Sequence, residues 1–274
     1  LLQQIYGNWS VIKGSQVELS DVLNLLDSSS DIDNHMPNKI SYQNNIKINN
    51  VSFKHKESDD YILKNINLDI KKNMSLGIVG ETGSGKSTLL DLLMCLIDPS
   101  EGVISIDNKD ITNRYKKAWQ RNIAHVPQDI FLIDATIMEN IAFGIPLKNI
   151  DVEKAKKAAS YAKIDSYVEG LSLKYNTSVG EGGVKLSGGQ KQRIGIARAL
   201  YKGASILFLD EATSALDNKT EKEVIRSLES TNNNLTLIMI SHRISTLQYC
   251  DNIVKLKKGA IVFSGSYDEY IRNQ

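Results

Sequence analysis

The chain predicts an α/β fold with an antiparallel β layer and an inserted helical segment, and three stretches carry that prediction. Ser75 to Ile97 reads SLGIVGETGSGKSTLLDLLMCLI. The apolar run Leu76, Ile78 and Val79 ends at glycine, and Leu89, Leu90, Leu92, Leu93 and Leu96 recur at helical spacing just after Lys86, so the order is strand, loop, helix. Ile46 to Phe53 and Ile66 to Ile70 alternate apolar and polar residues, which predicts antiparallel strands. Between about Asp129 and Val184 the pattern changes to helical segments.

The loop of the first stretch is an anion site. Gly80, Gly83 and Gly85 let successive N–H groups point into one concavity, and the following helix adds roughly half a positive charge there. Gly80 to Ser87 matches G-x-x-x-x-G-K-[ST], in which the lysine reaches the β- and γ-phosphates and the hydroxyl ligates Mg²⁺. The candidate phosphate contacts are Gly80, Glu81, Thr82, Gly83, Ser84, Gly85, Lys86, Ser87 and Thr88. Thr88 reads as a helix residue or a minor phosphate contact.

Composition narrows the alternatives. The 274 residues suffice for one large domain plus an extension. With 33 basic against 32 acidic residues the net charge is +1, which gives no overall electrostatic case for nucleic acid or an anionic membrane surface. Cys95 and Cys250 both fall in apolar settings and read as buried thiols, without a disulfide framework or zinc spacing. No apolar run is long enough to span a bilayer, and the N-terminus has no signal-peptide pattern, so the chain as given reads as soluble. It does not begin with Met, and residue 1 is read as a cut point with a membrane part expected upstream.

In chain order, Leu1 to Leu26 has a helical pattern, and residues 1–27 are read as a helical extension whose apolar face needs a partner. Residues 28–45 are rich in Ser, Asp and Asn and are read as a linker, which leaves 46–274 as the main domain. Val103 to Ile106 continues the β pattern, and Ile123 to Val126 is a strand ending just before Gln128. Met138 to Phe143, Asp151 to Ala162 and Ile164 to Leu171 are the expected helices of a subdomain over about 129–184. Leu186 to Gln190 opens a helix through Leu200, and Ser205 to Leu209 is a strand that ends in Asp210 and Glu211.

Asp210 would emerge at a buried strand's C-terminal end beside the phosphate loop, where an α/β sheet binds ligands. An acid there holds Mg²⁺, and Glu211 next to it orients or deprotonates a water on the γ-phosphate side. Ser187, Gly188 and Gly189 offer a hydroxyl and two unobstructed N–H groups at another helix start. On their own, Leu186 to Gln190 would also serve as a helix cap. One nucleotide does not need two such sites from one chain, so the second site is expected to face the γ-phosphate held by another copy, with two chains enclosing two ATP molecules.

With these motifs in this order, the chain from roughly Ile46 to Gln274 resembles the nucleotide-binding domain of ATP-binding cassette (ABC) transporters, a P-loop ATPase core with an antiparallel β subdomain and an inserted helical subdomain. The resemblance extends to Gln128 (the glutamine loop), Ser214-Ala215-Leu216-Asp217 (the D-loop) and His242 in Ile240-Ser241-His242-Arg243 (the switch histidine). It implies ATP and Mg²⁺ as ligands, Glu211, His242 and Gln128 as catalytic, and Ser87, Gln128 and Asp210 at the metal. It also implies Ser187, Gly188, Gly189, Gln190 and Asp217 as nucleotide contacts across an ATP-dependent homodimer. The expected setting is the cytoplasmic face of the cell (inner) membrane, with a transmembrane domain fused upstream and no nucleic-acid partner. Residues 1 to 27 fit the cytosolic end of a last membrane helix and resemble that stretch of half-transporters handling lipid-linked sugars or polysaccharides, so the expected cargo is a lipid or lipid-linked saccharide.

The pattern departs from the family at two places. His55 stands where exporters usually carry an aromatic that stacks on adenine, with Tyr61 near enough to be a rival. The loop Thr177 to Gly183 resembles the exporter type, yet has Ser178 where an acid is common and Gly182 in place of a usual arginine, which leaves Glu181 as the charged candidate for contact with a membrane-domain helix. The alternative function is a soluble ABC-type ATPase acting on DNA or ribosomes. The former would need a long coiled coil between the two halves, and the latter two cassettes in one chain.

Overall fold

The computed structural model describes residues 1–28, 40–56, 58–111, 113–230, 235–241 and 243–273. Two units are present, Leu1–Pro37 and Asn38–Gln274. The first contains α1 (Leu2–Ser28), a helix roughly 40 Å long at 1.5 Å per residue, on which Tyr6 and Trp9 pair at 6.4 Å and Lys13 lies over the Trp9 ring. No helix among the described residues is long and apolar enough to cross a membrane. Residues 29–39 of the expected linker lie outside the described residues.

The second unit opens with β1 (Asn45–Phe53) and β2 (Leu63–Lys71), a pair of antiparallel strands, followed by β3 (Ser75–Gly80) and α2 (Lys86–Leu93). Next come β4 (Glu101–Ile106), β5 (Lys109–Asp110), α3 (Asn113–Gln120) and β6 (Ile123–Val126). The helical stretch holds α4 (Ile137–Ile141), α5 (Val152–Tyr161) and α6 (Asp165–Glu169), and then α7 (Gly188–Lys202) begins. The remainder is β7 (Ile206–Asp210), α8 (Asn218–Ser230), β8 (Thr236–Ile240), α9 (Ile244–Leu247), β9 (Asn252–Lys257), β10 (Ala260–Gly265) and α10 (Tyr267–Arg272).

Two sheets result. One is antiparallel, in the order β2-β1-β4-β5; the other has the order β10-β9-β3-β8-β7-β6, parallel from β9 to β6 with β10 antiparallel at one edge. The sequence pattern runs Ile123 to Val126 on from the antiparallel layer, but this strand is the edge of the parallel sheet. It pairs with β7 at Val126 and Leu209. The central strands are covered on both faces, which is why Ile206 to Leu209 and Leu237 to Ile240 are unbroken apolar runs.

Alternation sends each strand's side chains into two cores. Ile78, Ile206, Phe208, Ile238 and Ile240 pack with Leu89, Leu92 and Leu93 of α2 and with Ile46, Ile48 and Ile66 of the antiparallel layer. Trp119 is fully buried in this core, donates from Nε1 to the Leu93 carbonyl at 2.9 Å, and meets the Tyr42 ring edge-on. Val79, Leu207, Leu209, Leu237 and Met239 point the other way, onto Ile137, Ala155, Ala159, Ile194 and Ile196 of the helices. The parallel strands all end at one edge of their sheet, where the loops carrying the functional candidates leave.

Candidate nucleotide site

The phosphate loop is seated from below and open above. Gly80 has φ +156, and a Cβ there would stand 2.4 Å from the Leu256 carbonyl oxygen, so the loop's root has no room for a side chain. Gly83, at φ +78, has nothing within 4 Å of its Cβ position. The turn after β9 holds the loop from the side, because the Gly259 N–H donates to the Ser84 carbonyl at 3.2 Å. Gly85 caps α2, whose N-terminal N–H groups and dipole favour an anion.

Lys86 is buried within this cradle and donates to the Gly80 and Glu81 carbonyls at 2.9 and 3.0 Å. These bonds hold the ammonium within the loop. The Ser84 hydroxyl is buried without a hydrogen-bond partner among the described residues. Glu81, Thr82, Gly83 and Ser87 are exposed, and Thr88 is half-buried in the first turn of α2.

The strand ends supply the opposite charge. Burial pushes the Asp210 carboxyl above its ordinary range, with Glu211 and Asp91 pushing the same way and His125 and Lys86 opposing. No group of three or more His, Cys, Asp or Glu side chains that would hold a metal by themselves exists among the described residues. Mg²⁺ needs no such cage: it keeps waters and binds through one or two carboxylates plus phosphate oxygens, so Asp210 with the Ser87 hydroxyl and the Gln128 amide fits it.

Glu211 sits in the left-handed region at φ 49, a conformation that a bulky residue holds only with support from its surroundings. Its N–H donates to the Ile240 carbonyl at 3.2 Å, and its Oε2 accepts from Gln128 Nε2 at 3.3 Å. Gln128, reached just after β6, thus meets the residue that follows β7. The structure brings Gln128 and Glu211 together, with Lys86 close enough to Asp210 to act on its charge. His242 lies outside the described residues.

The second expected anion site lies elsewhere on the chain. Ser187 caps α7 reciprocally with Gln190: its hydroxyl accepts from the Gln190 N–H at 3.3 Å and Gln190 Oε1 accepts from the Ser187 N–H at 2.8 Å. Gly188 and Gly189 lie against Ala215 and Leu216. Asp217 is engaged at the start of α8, accepting from the N–H groups of Lys219 and Thr220, both at 3.0 Å. Its hydrogen bonds with Thr220, side chain first, hold its carboxyl below the ordinary range.

At the expected adenine end, the His55 ring is exposed and stands edge-on to Phe53 at 5.4 Å. Tyr61 donates its hydroxyl to Glu101 and has Lys54 over its ring. Glu181 is exposed in the loop before α7.

Sequence reasoning missed four residues that shape these loops: Gln192, Glu221, Arg243 and Arg198. Arg198 donates to the carbonyls of Asn140 and Phe131 at 2.9 and 3.0 Å and stacks over Phe143, which fixes the segment following Gln128. An arginine set between Ala197 and Ala199 in the apolar stretch of α7 is the signal that would have found it. The other three bind the loop after Glu211.

The comparisons with known proteins give the family. The family model described as ABC transporter matches residues 63–214, more than half of the chain. The chain belongs to the ABC transporter family. As an ABC transporter domain of the ATPase class, it binds ATP. It is 39% identical over 267 residues to ABC transporter B family member 18 of Arabidopsis thaliana, covering 95% of this chain and 22% of the relative. It is 42% identical over 231 residues to the ATP-dependent lipid A-core flippase of Desulfotalea psychrophila, covering 84% of this chain and 40% of the relative. Among solved structures, a bacterial Atm1-family ABC exporter with ATP bound matches with a TM-score of 0.85 and 34% identity, over 96% of this chain and 46% of that one. The chain thus spans 22% and 40% of those two curated relatives.

Proposed function

We propose that this ABC transporter domain hydrolyses MgATP at the interface of a homodimer and drives transport through attached membrane helices. The observation that carries the reading is the convergence of Gln128 on Glu211 beside Asp210 and the phosphate loop. Lys86 neutralises charge on the β- and γ-phosphates from its cradle, and the open face at Gly83 admits the triphosphate. Mg²⁺, held by Ser87, Asp210 and Gln128, would neutralise developing charge on the phosphate oxygens. Glu211 orients the attacking water and takes its proton, with Gln128 fixing the carboxylate through the 3.3 Å bond. His242 steadies the γ-phosphate.

The N-terminus of α7 faces outward with Ser187 and Gly188 exposed, which suits a γ-phosphate held by a second copy. His55 stacks on adenine, because Tyr61 is committed to Glu101 and Lys54. Glu181 meets a helix of the membrane domain. The words exporter and lipid A-core flippase in the names of its relatives support an exporter with a lipid or lipid-linked saccharide as the substrate class, and its setting is the cytoplasmic face of the cell membrane.

Glu211→Gln tests the reading. Phosphate release falls by about 10²-fold or more, as expected for loss of a general base, while ATP-loaded chains elute as a dimer. Near-normal turnover in that variant would remove Glu211 from its role, and stimulation of the wild-type rate by DNA or ribosomes would favour the soluble alternative.

A further inference from the structure

The β10 edge of the six-stranded sheet carries a cavity of about 520 Å³, within the size range of small-molecule pockets. Lys255 and Lys257 of β9 line it, together with side chains of β10 and α10 and with Glu81. Residues two apart on a strand share a face, so both lysines leave the same side of β9. Among the described residues neither takes part in an ion pair. They are also distinct from the lysine of the phosphate loop, since Lys86 is committed to the Gly80 and Glu81 carbonyls.

A bulge in β10 brings an aromatic ring to the same place. The register pairs Ile261 with Leu256 and then Phe263 with Lys255, so Val262 is the extra residue. A one-residue shift reverses the face that a side chain takes, and this one sets Phe263 on the face of Lys255 and leaves Val262 exposed. From α10, Tyr270 supplies a second ring, 5.7 Å from that of Phe263 and tilted against it. Tyr270 is buried, and Lys255 Nζ lies 6.0 Å from its centroid, so the ammonium rests on a fixed ring.

Two ammonium groups beside aromatic rings select an anion carried on a flat apolar body. Each ammonium is a compact point charge that suits phosphate oxygens, and the half-buried Phe263 offers a ring surface. Glu81 limits the charge: one carboxylate against two ammonium groups leaves one positive charge uncompensated, which favours a phosphate monoester over a polyphosphate. We propose that this cavity is a second ligand site, for a phosphate monoester with an aromatic body, the chemical class of the nucleoside monophosphates. Lys255 and Lys257 hold the phosphate and Phe263 packs on the ring. The site stands independently of ATP hydrolysis.

The test is calorimetric titration of the whole chain with phenyl phosphate, the simplest probe of that class, with and without saturating ADP to occupy the phosphate loop. Phenol and inorganic phosphate supply the two halves of the probe separately. Phenyl phosphate binds with a Kd of about 1 mM or below, at least about tenfold more tightly than either half, and ADP leaves that Kd within about twofold. Lys255→Gln combined with Lys257→Gln weakens binding by about tenfold or more, and Phe263→Leu by about 2–10-fold, the range of a ring contact. Thermal unfolding accompanies each titration. If Phe263→Leu does not fold, Val262→Glu replaces it, because a carboxylate added at that exposed position repels the phosphate and weakens binding. The site is overturned if phenyl phosphate does not bind at millimolar concentration, or if the double lysine variant binds it as well as the wild type does. Loss of binding in ADP also overturns it, since the probe then sits on the phosphate loop. So does inorganic phosphate binding as tightly as phenyl phosphate, since the rings then contribute nothing.

Discussion

Gly80→Ala and Gly83→Ala separate what holds the phosphate loop together from what leaves it open. Both positions have φ in the range that alanine tolerates poorly, +156 and +78, and each substitution carries a conformational cost of about 1–2 kcal/mol. Only at Gly80 does the new methyl meet close neighbours, the backbone carbonyl oxygen of Leu256 at 2.4 Å and the Ser84 hydroxyl at 2.6 Å. A backbone carbonyl cannot swing aside, so overpacking adds about 1–3 kcal/mol. The stiffer unfolded chain returns about 0.4–1 kcal/mol in both cases. Gly80→Ala should therefore destabilise by about 2–4 kcal/mol and Gly83→Ala by about 1. For a domain of this size that is on the order of 10 °C against about 2–4 °C in the unfolding midpoint. Differential scanning calorimetry of the ATP-free chain makes the comparison. Equal midpoints, or a lower one for Gly83→Ala, would refute the steric argument.

Three further outcomes are expected. Burial raises the Asp107 carboxyl, but the backbone N–H groups of Gln43, Asn44 and Asn45, with help from Lys72, outweigh it and hold the group below its ordinary 3.8. A depressed carboxylate stabilises the fold above its unfolded value and loses that contribution as pH falls through the folded value, so Asp107→Asn flattens the acid limb of denaturant-measured stability below about pH 4. Burial pushes both the Cys95 and Cys250 thiols to about 12, so neither is alkylated in the native chain at pH 8, and both react once denaturant is added, as mass spectrometry will read. His55→Tyr tightens ATP binding by about 2–10-fold, the range of a better ring contact, whereas Tyr61→Phe leaves it unchanged; the reverse pattern in a binding titration would move the stacking role to Tyr61.

The elements nearest the chemistry were legible because their signals are local. The apolar run before Gly80 and the leucines after Lys86 lie within one short stretch, and the strand and helix form there, except that α2 ends at Leu93 and leaves Leu96 beyond it and exposed. Boundaries were less legible. The pattern puts a helix at Met138 to Phe143, whereas α4 runs Ile137–Ile141, because Thr136 and Glu139 form a capping box that sets its start and the chain leaves helical geometry at Ala142. That T-x-x-E signal was present to be read. The membership of Ile123 to Val126 was not, since a four-residue apolar strand says nothing of which sheet it joins. Gln192, Glu221 and Arg243 were also out of reach, because their partners lie 22 to 29 residues away or across a loop, and no periodicity marks them.

The six-stranded sheet has unlike neighbours on its two faces, and this makes the domain modular. The footing of the phosphate loop rests on α2 and the antiparallel layer, whereas the helical lobe rests on the reverse side of the same strands. A lineage can reshape the lobe without touching the floor beneath the phosphate loop. The segments answerable to both sides are the connections leaving the strand tips, so that is where exchange of a whole lobe between relatives would first fail.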